Sequence, residues 1–144
     1  MSETTGLPTR RQRVLHWSLW WLALAVWTWM LVSPQAPRAV EAVVPYQSMQ
    51  FWVSKCGHVG GYLVLTILAG CLPVRRSFHI AWWLFLVGHA CLTEWIQTFV
   101  PGRFGSIDDV GLDVLGITLG LLVLLAWHRL RGGWRSAPSP SARE

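Results

Sequence analysis

The sequence predicts an all-α fold: a polytopic membrane protein built as a bundle of four transmembrane helices, with N and C termini cytoplasmic. Three observations lead there. The 144 residues are 53% hydrophobic and only 13% charged, whereas a soluble domain carries about a quarter charged residues. Four apolar runs, at about 14–32, 57–72, 79–98 and 107–127, stand out along the chain. The basic residues gather at alternate ends of those runs.

The first, third and fourth runs reach the length of about 17 to 20 residues that a helix needs to cross the hydrocarbon core. The second is shorter and gains a turn if Ser54–Cys56 start the helix. Helices are required because lipid offers no partner for unpaired backbone groups, and no period-2 alternation supports a barrel. The first run follows Arg10, Arg11 and Arg13 and so has the flank of a signal peptide. It is longer and richer in Trp than a signal core, and is read as a retained anchor.

Orientation follows from the connections. Arg10, Arg11 and Arg13 precede the first run, Arg75 and Arg76 separate the second from the third, and Arg129, Arg131 and Arg135 follow the fourth. Arg38, Lys55 and Arg103 lie on the other side, partly offset by Glu41. Cytoplasmic loops are enriched in Lys and Arg, which places both termini inside. The chain divides into a cytoplasmic segment at 1–13, a membrane domain at 14–128 and a basic, disordered cytoplasmic tail at 129–144. The 11 Trp, including Trp17, Trp20, Trp21, Trp82 and Trp83, are read as an interfacial aromatic belt. Cys56, Cys71 and Cys91 have no paired or metal-ligand spacing and are read as buried thiols.

The net charge of +5 sits in short clusters between apolar runs, which argues against a nucleic-acid partner. No Ser elbow, Walker loop, HExxH or CxxC pattern is present, and nothing points to haem, flavin or nucleotide. No cofactor is assigned.

The polar residues converge at one end. Glu94 and Gln97 share a face in the last turns of the third helix. Pro101-Gly102 makes a turn before Arg103. On the fourth helix Asp109, Asp113, Gly116 and Gly120 form one stripe, and Ser106 or Asp108 is placed to cap its start. On the second helix Lys55, His58 and Tyr62 lie on one face. With this topology all eight polar groups fall in the outer leaflet, where ionisable groups face the bundle interior and find partners. Gly116, Gly120 and nearby Gly111, with Gly60-Gly61 on the second helix, would permit close helix approach.

KCGHVGGY, at 55–62, resembles the DKxxHFxxY motif of VanZ-like membrane proteins. EWIQTFVPGRFGSIDDVGLDVLGITLG, at 94–120, resembles their ExxQxFxPGRxxxxxDxxxNxxGxxxG stretch. The resemblance covers about 54–120 and implies a small helical protein of the bacterial cell membrane, in a family whose founding member is associated with teicoplanin resistance. Lys55, His58, Tyr62, Glu94, Gln97, Arg103 and Asp109 are the matching positions. Ser54 replaces the family's Asp, Val59 an aromatic, and Asp113 the common Asn.

Each group has a functional and a structural reading. His58 is the best acid–base candidate, or fills a gap with hydrogen bonds. Glu94 is a base or proton carrier, or pairs with Arg103 or Lys55. A guanidinium paired with acids is stable and also suits a phosphate ligand. Asp109 and Asp113 could hold a divalent cation, but Mg²⁺ would need further ligands or substrate phosphates, and no metal site is assigned. His89 is read as a packing residue on a different face from Glu94 and Gln97.

The preferred function is recognition of an anionic envelope lipid or cell-wall precursor, such as a polyprenyl phosphate. Lys55 and Arg103 would grip its phosphate, with Tyr62, Gln97, Asp109 and Asp113 lining the site. The alternatives are a membrane enzyme with His58 and Glu94 as tentative catalytic residues, and a structural or partner-binding protein. Assembly of protomers is not legible in the sequence.

Overall fold

The computed structural model describes residues 9–73 and 78–135. It contains five helices: α1 (Arg10–Val32), α2 (Ala36–Val43), α3 (Gln47–Gly70), α4 (Phe78–Gln97) and α5 (Ile107–Arg135). No strand occurs among the described residues. Three stretches are long and apolar enough to cross a membrane: α1, α3 and Ile107–Leu130 of α5. The 20-residue α4 is not among them. It carries His89, Glu94 and Gln97 within an otherwise apolar sequence. The fold is all-helical and multi-pass.

Local chemistry sets most boundaries. Thr9 caps α1 through a reciprocal pair: its hydroxyl accepts from Gln12 N (3.3 Å) and Gln12 Oε1 accepts from Thr9 N (2.8 Å). This satisfies two of the otherwise unpaired groups at the helix start. The segment between the first two runs contains α2, an unforeseen short helix with Pro in its first turn, where the missing N–H costs nothing. α3 begins at Gln47, earlier than the Ser54–Cys56 start read from hydropathy. The amide of Gln50 donates to Val44 O at 2.8 Å and anchors its first turn. α5 continues to Arg135, past the boundary expected at 128. Residues 1–8 and 136–144, together with Arg75 and Arg76, lie outside the described residues.

α3 and α5 form the most extensive helix pair. Lys55 meets Asp109, His58 meets Asp113, and Gly120 meets Thr66, so the two helices run parallel in a constant register. Gly116 lies directly against the Val59 backbone carbonyl, and a Cβ at Gly120 would stand 2.7 Å from Thr66 Cβ. The small-residue stripe of α5 therefore works as expected. Its partner surface differs from the expected one. Gly61 faces the Trp27 ring of α1, while Gly60 and Gly111 meet nothing within 4 Å. Backbone and Thr66, not paired glycines, fill the α3 side of the seam.

The outward faces of the helices are apolar, with Leu22, Val64, Leu92 and Leu122 all exposed. Hydrocarbon is the natural solvent for such a surface. Cys56, Cys71 and Cys91 are also exposed, which corrects their reading as buried thiols: a small apolar thiol is as acceptable facing lipid as facing a core. The belt reading also needs revision at Trp20. It is 1% exposed, stacks edge-on against Trp82 at 4.8 Å between centroids, and donates from Nε1 to Leu65 O at 3.3 Å. Trp20 joins α1, α3 and α4 at the end of the bundle away from the polar cluster.

Overpacking a helix seam costs about 1–3 kcal/mol. Gly116→Leu is expected to destabilise the protein in detergent by such an amount and so lower its unfolding midpoint, because α3 backbone cannot move aside as a side-chain tip can. Gly60→Leu, which enters open space, should leave the midpoint unchanged. Thermal unfolding followed by circular dichroism checks both.

Candidate functional site

The loop between α4 and α5 builds the site. Pro101-Gly102 forms a turn in which Gly102 takes φ +78° and Arg103 N donates to Val100 O at 3.1 Å. Only glycine enters that region without cost, and Pro before it pre-sets the type II geometry. The loop then closes on α4. Gly105 lies directly against the Glu94 backbone carbonyl, and Ser106 N donates to Glu94 Oε2 at 2.9 Å. Ser106 Oγ in turn accepts from Asp108 N at 3.2 Å, capping the start of α5. Glu94 thus ties the end of α4 to the beginning of α5. Its other oxygen accepts from Gln97 Nε2 at 3.0 Å. Both residues are buried.

His58 stands opposite. Its Nδ1 is 2.8 Å from Asp113 Oδ1 and 3.8 Å from Glu94 Oε1. His58, Glu94 and Asp113 are all buried, with Asp113 wholly so. If the imidazole is neutral with its proton on Nδ1, donating to Asp113, Nε2 carries the lone pair. Asp113 then fixes tautomer and ring orientation together. The second Asp113 oxygen, Oδ2, is buried and has no hydrogen-bond partner among the described residues. Such an orphan is costly.

Lys55 forms an ion pair with Asp109 in the first turns of α5, and its ammonium also lies 5.2 Å from the Phe51 ring centroid. This pair is less buried than the His58 group. Tyr62 lies farther along α3. Its hydroxyl is 2.9 Å from His89 Nδ1 and 3.4 Å from Thr93 Oγ1. His89 also contacts Thr28 Oγ1 through Nε2 at 2.9 Å. His89 therefore links α1, α3 and α4, as a packing residue with hydrogen bonds at both nitrogens. Thr93 and Thr28 were missed. Thr93 was legible in principle, since Ala90, Thr93, Glu94 and Gln97 form an i, i+3, i+4, i+7 stripe, and all four are buried.

Arg103 departs most from expectation. Among the described residues it makes no ion pair with the acids. It reaches α1 instead, donating from Nη2 to Met30 O (2.7 Å) and from Nε to Ser33 O (3.3 Å). These are carbonyls at the C-terminal end of α1, which lack helical donors. Burial draws the guanidinium below its usual pKa, and the nearby Glu94 carboxylate partly opposes that. Arg remains protonated in either case.

Between α1, α2 and α3 lies a cavity of about 260 Å³. Trp27, Met30, Val40 and Val53 supply apolar walls, while His58, Arg103, Glu41, Gln50 and Ser54 are its polar points. Lys55, Asp109, Glu94 and Gln97 do not line it. His58 is thus shared between the buried acid group and the cavity. That arrangement can hold a headgroup against Arg103, or move a proton at His58 Nε2.

A family model described as VanZ/LLP1 matches residues 19–128, a span that includes every one of these groups. Comparisons with curated proteins and with solved structures gave no match.

Removing the Arg103 donors strands two carbonyls at the end of α1. Arg103→Met is expected to destabilise the protein by about 1 kcal/mol, chiefly from the buried Ser33 carbonyl left without its donor. Arg103→Lys, with a single point of donation, should fall between variant and wild type. Denaturant unfolding in mild detergent measures the difference. Equal stability of all three proteins would show that the cap contributes nothing.

Proposed function

Because the chain belongs to the VanZ/LLP1 family, we propose that it is a VanZ-like integral membrane protein of the bacterial envelope that recognises an anionic lipid or cell-wall precursor headgroup. In this reading α1, α3, α4 and α5 all cross the bacterial inner membrane, with both termini cytoplasmic. The cavity and the acid cluster then lie in the outer leaflet. Glycopeptide antibiotics act on cell-wall precursors there, which connects the site to teicoplanin resistance.

The single observation that carries the reading is the cavity with His58 and Arg103 in its wall and apolar side chains around them. Its volume of about 260 Å³ suits a headgroup and not a whole lipid. Arg103 uses two of its donors on α1 and keeps others for a phosphate. Glu41 in the same wall favours a headgroup that also carries a hydroxyl or amine donor. The apolar walls suit the first carbons of a polyprenyl or acyl chain. Lys55, paired with Asp109, contributes to the field around the site.

The His58–Asp113 hydrogen bond favours a second reading, an enzyme acting on that headgroup. Asp113 orients the imidazole, His58 Nε2 takes or gives the proton, and Glu94 stands by as a second acid–base group. His58→Ala should then abolish turnover while lipid still binds.

Gly57 offers a clean test, because it lines the cavity and a Cβ there meets nothing within 4 Å. Gly57→Leu is expected to fill the cavity without lowering stability. Native mass spectrometry after exposure to a bacterial lipid extract should show a polyprenyl phosphate or cell-wall lipid precursor retained by wild type and reduced at least about tenfold in the variant. That ratio is about 1.4 kcal/mol of lost binding. Identical retention of bulk phospholipid by both proteins would remove the recognition reading.

A further inference from the structure

We propose that His58, Glu94 and Asp113 form a binding site for one divalent first-row transition cation, of the Mn²⁺ or Zn²⁺ class. The three residues come from three helices, α3, α4 and α5, and each offers one ligand atom. All these atoms lie within 4.8 Å of one another, and all three residues are buried. Two of the separations are 2.8 Å and 3.8 Å. A cation with bonds of about 2.1 Å places neighbouring ligands roughly 3.0–3.4 Å apart, so the three side chains would draw together around it by about an ångström.

Two further observations point to a cation. The first is the Asp113 Oδ2 orphan, on a residue that is 0% exposed. A lone pair held in a wholly buried place without a donor is unfavourable, and a cation held by both Asp113 oxygens would satisfy it. The second is charge. Lys55 is matched by Asp109, and Arg103, although near Glu94, is hydrogen-bonded to α1 carbonyls and makes no ion pair among the described residues. Within the trio two carboxylates face one imidazole. A dication with neutral imidazole balances both carboxylates by direct bonds, which offsets the cost of burying them.

One nitrogen and two carboxylate oxygens suit Zn²⁺ and Mn²⁺ better than the softer metals that prefer thiolate. Loading requires the imidazole proton to sit on Nε2, so that Nδ1 presents its lone pair. The hydrogen bond seen between His58 and Asp113 is thus the metal-free alternative of the same site. Three protein ligands leave positions open for water or a ligand oxygen, and His58 already borders the cavity. Gln97 and Ser106, which donate to Glu94, would orient that ligand from behind. The site stands without the headgroup reading, since the ion needs no lipid.

The test uses the full chain without an affinity tag, in detergent and free of added lipid. After equilibration with Mn²⁺ or Zn²⁺ and exhaustive dialysis, metal content is measured by elemental mass spectrometry. Wild type is expected to retain about one ion per chain, and titration should show Glu94→Gln and Asp113→Asn at least about tenfold weaker. Asp108→Asn, an exposed acid outside the trio, should bind like wild type. Either ion should also raise the wild-type unfolding midpoint, a readout that does not require the variants to fold. Retention equal in wild type, Glu94→Gln and Asp113→Asn would mean an adventitious ion only. That result, or no retained ion and no shift in midpoint, overturns the proposal and leaves lipid retention by the cavity to be judged separately.

Discussion

The close parallel contact between α3 and α5 governs the rest of the molecule. Where Gly116 meets the Val59 carbonyl there is no space for a Cβ, and this proximity brings His58 within hydrogen-bond range of Asp113 one turn away. A wider seam would separate the two helices at the level of the acids and leave each buried group without its partner. Lipid cannot supply a substitute, because hydrocarbon neither donates nor accepts hydrogen bonds. Packing of small residues and pairing of polar ones are therefore a single constraint here.

Around that seam the polar residues separate into groups with different work. Lys55 and Asp109 neutralise one another near the edge. His58, Glu94 and Asp113 form the buried centre. Tyr62, His89, Thr93 and Thr28 carry hydrogen bonds onward from α3 to α4 and α1. Arg103 makes no hydrogen bond to them among the described residues and instead binds the α4–α5 loop to the end of α1. This tie places a guanidinium in the wall of the cavity, so one residue serves both the integrity of the α1 terminus and the character of the pocket. The cavity depends on α2 and the early start of α3, two features of the segment after α1 that are absent from the hydropathy pattern.

Much of the candidate site was legible from spacing. Lys55, His58 and Tyr62 on one face, and Asp109 and Asp113 on another, follow from helical periodicity once the runs are recognised as helices. The pairing of those faces was not. Arg103 could satisfy acids or carbonyls equally well by chemistry, and its choice of α1 rests on a loop turn and a helix end brought together by folding. Pairing with Arg103 or Lys55 was one of two readings of Glu94, the other being a base or proton carrier, and its closest donors are an amide and the backbone N–H of Ser106. Backbone donors carry no signature in a sequence.

The sequence by itself determined that the chain is helical and multi-pass, and that its carboxylates at 94, 109 and 113 fall at the same end of the apolar runs as Lys55 and His58. Composition and period suffice for that, because they describe how each segment meets its solvent. The tertiary structure alone decided which groups touch: His58 with Asp113, Arg103 with α1, Trp20 in the core and the cysteines toward the outside. The physical reason is that helix rotation and register are set by contacts between segments, above all at Gly116 and Gly120, and a change of a few ångströms there exchanges one polar partner for another.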